Sequence, residues 1–108
     1  MIPSEGVSIR KLQAIPLPDM KRVRVEIELS PFAEHPHLDI AILSPQGEVV
    51  ANMFVVEARD QVMTLTLHLR QPEPGALYSA RLIVLRGEET LDQRKVTFAL
   101  RAETKEEQ

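Results

Sequence analysis

The sequence predicts an all-β protein built as a seven-stranded antiparallel β-sandwich. Two observations carry this prediction: apolar residues recur at every second position in several segments, and turn-forming residues separate those segments at nearly regular intervals. No window of eleven residues carries the apolar stripe of an amphipathic helix. Several short alternating strands with frequent turns are typical of a sandwich or a barrel.

The first strand changes the parity of its apolar residues partway along. Val7 and Ile9 share one parity, whereas Leu12 and Ala14 share the other. Because a shift of one residue turns every side chain to the opposite face, we expect a β-bulge near residues 10–11. The prolines that follow cannot donate to a sheet ladder, so this segment is predicted to be an edge strand or a crossover.

The second strand, in residues 20–30, shows the clearest alternation, with charged residues facing away from an apolar set (Val23, Val25, Ile27, Leu29). Residues 38–42 predict a third, shorter strand. The fourth strand is ambiguous, because either Phe54 and Val56 or Met53 and Val55 can point inward. Residues 61–69, 77–86 and 95–101 predict the last three strands, again from alternation. Proline and glycine mark most of the intervening turns.

Length and composition fit one domain over residues 1–101 with a charged tail, residues 102–108, that we expect to be disordered. The 108-residue chain has no cysteine, which excludes disulfides and thiolate metal sites. We expect no cofactor. Neither a secretory signal nor a membrane-spanning segment is apparent, which predicts a cytoplasmic protein with no membrane insertion. A fragment of a secreted protein also fits these features.

The charge pattern argues against nucleic-acid binding. The formal net charge is -3, and basic residues alternate with acidic ones instead of forming a basic surface. The electrostatic attraction that dominates affinity for nucleic acids is therefore missing.

The pattern of residues 7–100 resembles immunoglobulin-like sandwiches, the fibronectin type III kind in particular. Its most distinctive part is a proline- and glycine-containing turn followed by Tyr78, which is similar to the tyrosine corner of such domains. The resemblance implies that Tyr78 is buried, with its hydroxyl bonded to the backbone of residues 71–75. A second part, residues 38–42 followed by 45–50, is similar to their C–C′ hairpin. The chain lacks the core tryptophans and the cysteines of these families, so the resemblance implies a fold and no functional residue.

Residues 34–39 form the one cluster suited to a metal ion. His35 and His37 lie two apart, so their side chains point the same way on an extended backbone, and Glu34 or Asp39 could add oxygen. A solvated loop is the alternative, and we favour it because structural zinc sites usually need four ligands. We therefore expect no bound metal, with His35 and His37 as weak candidates.

No residue set predicts an enzyme. His68 could serve as a general base, but it alternates with threonines on an outward strand face and has no activating partner nearby in sequence. The short charged loops, such as residues 87–89, lack the dense oxygen ligands of a calcium site. We therefore predict a chain without catalytic activity.

The predicted outer faces of the two sheets differ in character. In an immunoglobulin-like arrangement, strands one, two and five form one sheet, and its outward residues are charged or polar. The outward residues of the other sheet are mostly apolar, and a contiguous apolar surface suggests a partner. The predicted interaction face comprises six residues: Ala41, Leu43, Met53, Ile83, Leu85 and Ala99.

These observations predict a non-enzymatic protein-interaction or structural module that binds a protein partner or self-associates as a homodimer. The alternative is a ligand- or metal-binding accessory domain centred on residues 34–39.

Overall fold

A computed structural model describes residues 7–100; residues 1–6 and 101–108, which include the predicted tail, lie outside the described part. Between Val7 and Leu100 the chain forms seven strands in two antiparallel sheets and no helix, which confirms the predicted seven-stranded sandwich. No helix in this part of the chain is long and apolar enough to cross a membrane.

The three-stranded sheet has the order β1-β2-β5. Its strands are β1 (Ile9–Pro16), β2 (Arg22–Leu29) and β5 (Val62–His68). The register shifts between Ile9 and Lys11, which confirms the predicted bulge. β1 lies at the edge, where Pro16 removes a ladder donor without interrupting a central strand.

The four-stranded sheet has the order β4-β3-β6-β7. Its strands are β3 (His37–Leu43), β4 (Val49–Val55), β6 (Leu77–Arg86) and β7 (Glu89–Ala99). β7 begins six residues before the predicted segment, because residues 89–94 pair with β6 although their side chains are mostly polar. The division of strands between the sheets agrees with the sequence analysis.

The core lies between the two sheets and is formed by the inward residues of both. Eight of its large aliphatic side chains are essentially inaccessible: Val23, Val25, Ile27, Leu29, Leu38, Ile40, Ile42 and Leu82. These are the positions at which the period-two pattern is most regular. Burying a side chain of this size stabilises the fold by about 1.5–3 kcal/mol. Packing of alternate residues therefore fixes which face of each sheet points outward.

One side of the sandwich is closed by side chains that join its two edge strands. Asp92 Oδ2 accepts a hydrogen bond from the backbone N–H of Ile9 (2.8 Å), and Arg94 donates to the Ile9 carbonyl (2.7 Å). These bonds link β7 of one sheet to β1 of the other, next to the bulge. On the opposite side of the sandwich, β4 and β5 form the edges of the two sheets.

Candidate functional site

The outer face of the three-stranded sheet is polar, as predicted. Glu26 lies between two cations, with Lys11 Nζ 3.2 Å and Arg24 Nε 3.4 Å from its carboxylate oxygens. The outward residues of β5, Thr64, Thr66 and His68, are exposed. His68 lies opposite Arg22 in the register. This face is therefore well solvated.

Asp19 stabilises the turn between β1 and β2. Its carboxylate accepts hydrogen bonds from the backbone N–H groups of Lys21 (2.9 Å) and Arg22 (3.2 Å) and pairs with the Arg22 guanidinium at 2.7 Å. These donors favour the ionised form, and the Lys21 backbone bond contributes most, so the pKa of Asp19 is lowered from its usual value. The turn is stabilised most when this carboxyl is charged.

The outer face of the four-stranded sheet carries an apolar patch at one end. Phe54 and Ile83 lie on either side of Asp39 in the register, and Leu85 lies opposite His37. The His37 ring stacks on Phe54, with centroids 5.9 Å apart. Phe54 is half exposed, whereas Ile83 and Leu85 are partly buried. We call His37, Phe54, Ile83 and Leu85 the outer-face patch.

A polar row separates this patch from the rest of the face. Asn52, Ala41, Arg81 and Lys95 are neighbours across four strands. Ala41 is only 1% exposed although it faces outward. Arg81 Nε is buried, which indicates that the arginine lies along the sheet beside Ala41 instead of extending into solvent. Ala41 is therefore in the predicted place but offers little surface to a partner.

Two further members of the predicted face lie beyond this row. Leu43 is opposite Ser79 and is nearly buried. Ala99 is partly buried opposite Leu77, which is 58% exposed. The predicted interaction face is thus divided between the two ends of the four-stranded sheet instead of forming one continuous surface.

Met53 does not lie on the outer face. It is opposite Ile40, whose side chain is inaccessible, and it packs against the core. Phe54 occupies the outward position instead. β4 has apolar residues at both parities, and a register shift between Ile42 and Leu43 leaves Val50 as the additional residue, so alternation alone could not fix its orientation. The assignment of Met53 to the interaction face was wrong.

The residues proposed as weak metal ligands have structural contacts. His37 Nδ1 accepts a hydrogen bond from the backbone N–H of Glu57 (3.0 Å), and His35 contacts Phe32 edge-on. Glu34 pairs with Arg86 at 3.0 Å. Residues 7–100 contain no group of three or more potential ligands among His, Asp and Glu. The absence of bound metal stays a prediction.

Tyr78 has the environment that the sequence predicts. It is 4% exposed, its ring stacks on Phe98, and its hydroxyl oxygen accepts a hydrogen bond from the backbone N–H of Glu73 (3.0 Å). The ring therefore joins the core to the turn before β6, which is a structural role.

A cleft of about 590 Å³ opens between the edge strands β4 and β5. Its apolar lining includes Ala51, Met53 and Leu67, and its polar lining includes Asn52, Arg70 and the candidate base His68. Its lining contains no Asp or Glu, and so no pair of carboxylates for acid–base catalysis. The sequence analysis missed this cleft, although consecutive strands assigned to different sheets indicate that the chain crosses one side of the sandwich there.

No protein-family profile matches the chain, and no curated protein sequence matches it. Several solved structures are similar to it in fold. A glycosyl hydrolase family 2 member from Bacteroides cellulosilyticus superposes with a TM-score of 0.67 at 13% identity, over 88% of this chain and 15% of that chain. A β-glucuronidase from Ruminococcus gnavus gives 0.63 at 17% identity, over 87% and 16%. A β-glucuronidase from Bifidobacterium dentium gives 0.67 at 18% identity, over 89% and 18%.

The chain therefore spans less than a fifth of the length of these similar structures. At such identities the likeness concerns the fold alone, and the activities named for those enzymes do not transfer. The chain is an all-β sandwich that shares its fold with a part of these longer chains.

Proposed function

We propose that this chain is a non-enzymatic, immunoglobulin-like module that binds another protein surface through the outer-face patch. The observation that carries the proposal is the pair of apolar residues Phe54, which is half exposed, and Ile83, on either side of Asp39. The outer face of the other sheet presents ion pairs and threonines instead. Aromatic rings are favoured anchors at protein interfaces.

The energetics fit a modest interface. Fully burying a large apolar side chain contributes about 1.5–3 kcal/mol, so covering the exposed half of Phe54 contributes roughly 1 kcal/mol. Ile83 and Leu85 add less because they are already partly buried. Association loses about 4 kcal/mol or more of rotational and translational freedom. The patch alone therefore supports weak binding, and tighter binding needs additional contacts from neighbouring residues.

The structural comparisons give independent support for a module. The fold occupies 15% to 18% of each of the three longer chains described above, so there it occurs beside other polypeptide. A domain in such a setting commonly presents one face to a neighbour. The alternative, a ligand or metal site at residues 34–39, has less support, because Glu34 and His37 are already engaged within the protein.

The test replaces the centre of the patch by charges. Ile83→Glu with Leu85→Lys should abolish association through the patch while leaving the thermal unfolding transition cooperative, because both residues lie on the outward face. The matched control is Thr64→Glu with Thr66→Lys, which places the same charges at the same spacing on the polar face. Sedimentation equilibrium across a wide concentration range is the measurement.

Equal association by the patch variant and the wild type would exclude the patch from contact between copies, and the proposal would then require a heterologous partner. For a heterologous partner, methyl NMR with a soluble paramagnetic probe tests accessibility: protection of the Ile83 and Leu85 methyl groups in the dilute, monomeric protein would show that the chain itself covers the patch.

A further inference from the structure

We infer that this chain also pairs with a second copy of itself through the free edge of β4, so that two four-stranded sheets become one continuous sheet of eight strands. The inference goes beyond the proposed function, because the contact between copies is then the strand edge, whereas Ile83 and Leu85 on the sheet face stay available to a different protein.

The first argument is the contrast between edge strands. A sheet edge presents unpaired backbone donors and acceptors, and proteins usually protect it with charges, prolines or bulges. β1 has Pro16 and a bulge, and β7 has four charged residues and side-chain bonds to β1. β4 has the sequence VVANMFV, with no charge and no proline, and its one irregularity, the additional residue Val50, lies near its start, so that Ala51 to Val55 pair regularly with β3. Within residues 7–100 it pairs with β3 alone.

The second argument is the position of exposed apolar side chains. Among the described residues, three of the five large apolar side chains that are most exposed lie on β4 or directly after it: Val49, Phe54 and Val56. β5, the other uncharged edge on this side, contributes only Val62. Pairing at β4 would cover more exposed apolar surface than pairing at β5.

The third argument is that β4 is complementary to itself. When two copies of a strand pair antiparallel about a two-fold axis, residues opposite each other have their side chains on the same face. Because successive residues alternate between faces, the axis must lie where one residue meets its own copy. An axis at Asn52 places Ala51 opposite Met53, and both residues pack against the core. The regular pairing ends at the bulge, because Val50 packs against the core whereas Phe54 faces outward. Asn52 then meets Asn52, and two amides can exchange hydrogen bonds. Moving the axis by one residue in either direction sets Asn52 against Val50 or Phe54, which leaves the amide opposite an apolar side chain.

A short strand pair buries less surface than a standard protein interface, so the dimer should be weak and dependent on concentration. We expect the weight-average mass of the wild type to rise toward that of a dimer between about 20 μM and about 1 mM.

The experiment exploits the two-fold axis. Asn52 is exposed, so Asn52→Lys and Asn52→Glu should both fold, and each should remain monomeric because the axis sets like charges side by side. An equimolar mixture of the two variants should associate again, at least as strongly as the wild type, since lysine then meets glutamate. Thr66→Lys on β5 is the matched control and should associate like the wild type. Circular dichroism confirms folding of each variant.

The outcomes separate this inference from the proposed function. If Asn52→Lys still associates while Ile83→Glu with Leu85→Lys does not, the contact is face to face; the edge inference is overturned and the proposed function stands. If Thr66→Lys abolishes association and Asn52→Lys does not, β5 is the pairing edge and the inference is also overturned. A mixture that stays monomeric refutes the axis at Asn52. A wild type that is monomeric at about 1 mM refutes the second copy as partner and leaves a heterologous partner for the patch.

Discussion

Replacing Tyr78 with phenylalanine isolates the hydrogen bond that connects the core to the turn before β6. The ring of Tyr78 is buried against Phe98, and phenylalanine preserves that packing. The lost interaction is the 3.0 Å bond in which the hydroxyl oxygen accepts the Glu73 N–H. A typical hydrogen bond contributes about 0.5–1.5 kcal/mol net, and the partner N–H is only part-buried, so we expect a loss of about 1 kcal/mol in the free energy of unfolding.

Truncation of the ring gives the matched comparison. Tyr78→Ala also removes the stacked packing and should cost about 3–5 kcal/mol, as for other buried aromatic residues. Urea unfolding followed by circular dichroism is the suitable assay, because the chain has no tryptophan and Tyr78 is its one tyrosine. A loss of 1 kcal/mol should lower the thermal midpoint by about 4–8 °C. If Tyr78→Phe unfolds at the wild-type urea midpoint, the bond to Glu73 does not stabilise the turn and the tyrosine-corner interpretation fails.

Two further predictions concern Asp19 and the histidine pair. The folded-state pKa of Asp19 is lowered, so its stabilising effect is present above its unfolded pKa, near 3.8, and is lost as the pH falls through the folded value. Asp19→Asn should therefore be less stable than the wild type at neutral pH, and the two urea midpoints should converge as the pH falls through the folded-state pKa of Asp19. Midpoints that stay equally separated at low pH would contradict this prediction. His35 and His37 should hold no metal: elemental analysis should find no stoichiometric zinc in the purified protein, and near-stoichiometric zinc that disappears in the double alanine variant would show the prediction to be wrong.

The parts of the fold that could be predicted from sequence are those in which one face of a strand is strictly apolar. β2 is the clearest example, because its arginines and glutamates leave a single possible inward set. The change of parity between Ile9 and Leu12 similarly requires a bulge, since both residues are buried on the same side. In these strands a one-residue slip would bury charges or expose the core, so burial determines the register.

The alternation rule failed where both faces of a strand can be apolar. Met53 and Phe54 have comparable hydrophobicity, and only the pairing of Met53 with Ile40 shows which of them enters the core. The start of β7 was missed for the opposite reason: apart from Leu91, its first six residues are polar and show no apolar alternation. They pair with β6 through the backbone, and Asp92 and Arg94 link the strand to β1. Such long-range partners have no local sequence signal.

The orientation of Phe54 also determines which substitutions can identify the contact between molecules. Phe54 belongs to the outer-face patch through its stacking on His37, and it lies on the free edge through its place in β4. Removing its ring would weaken binding in either arrangement, so loss of association in Phe54→Ala could not distinguish them. Asn52 and Ile83 do, because Asn52 lies on the edge strand, whereas Ile83 lies on β6, two strands inside that edge. Charges at Asn52 act at the edge and those at Ile83 on the face, so the residue whose charge prevents association locates the interface.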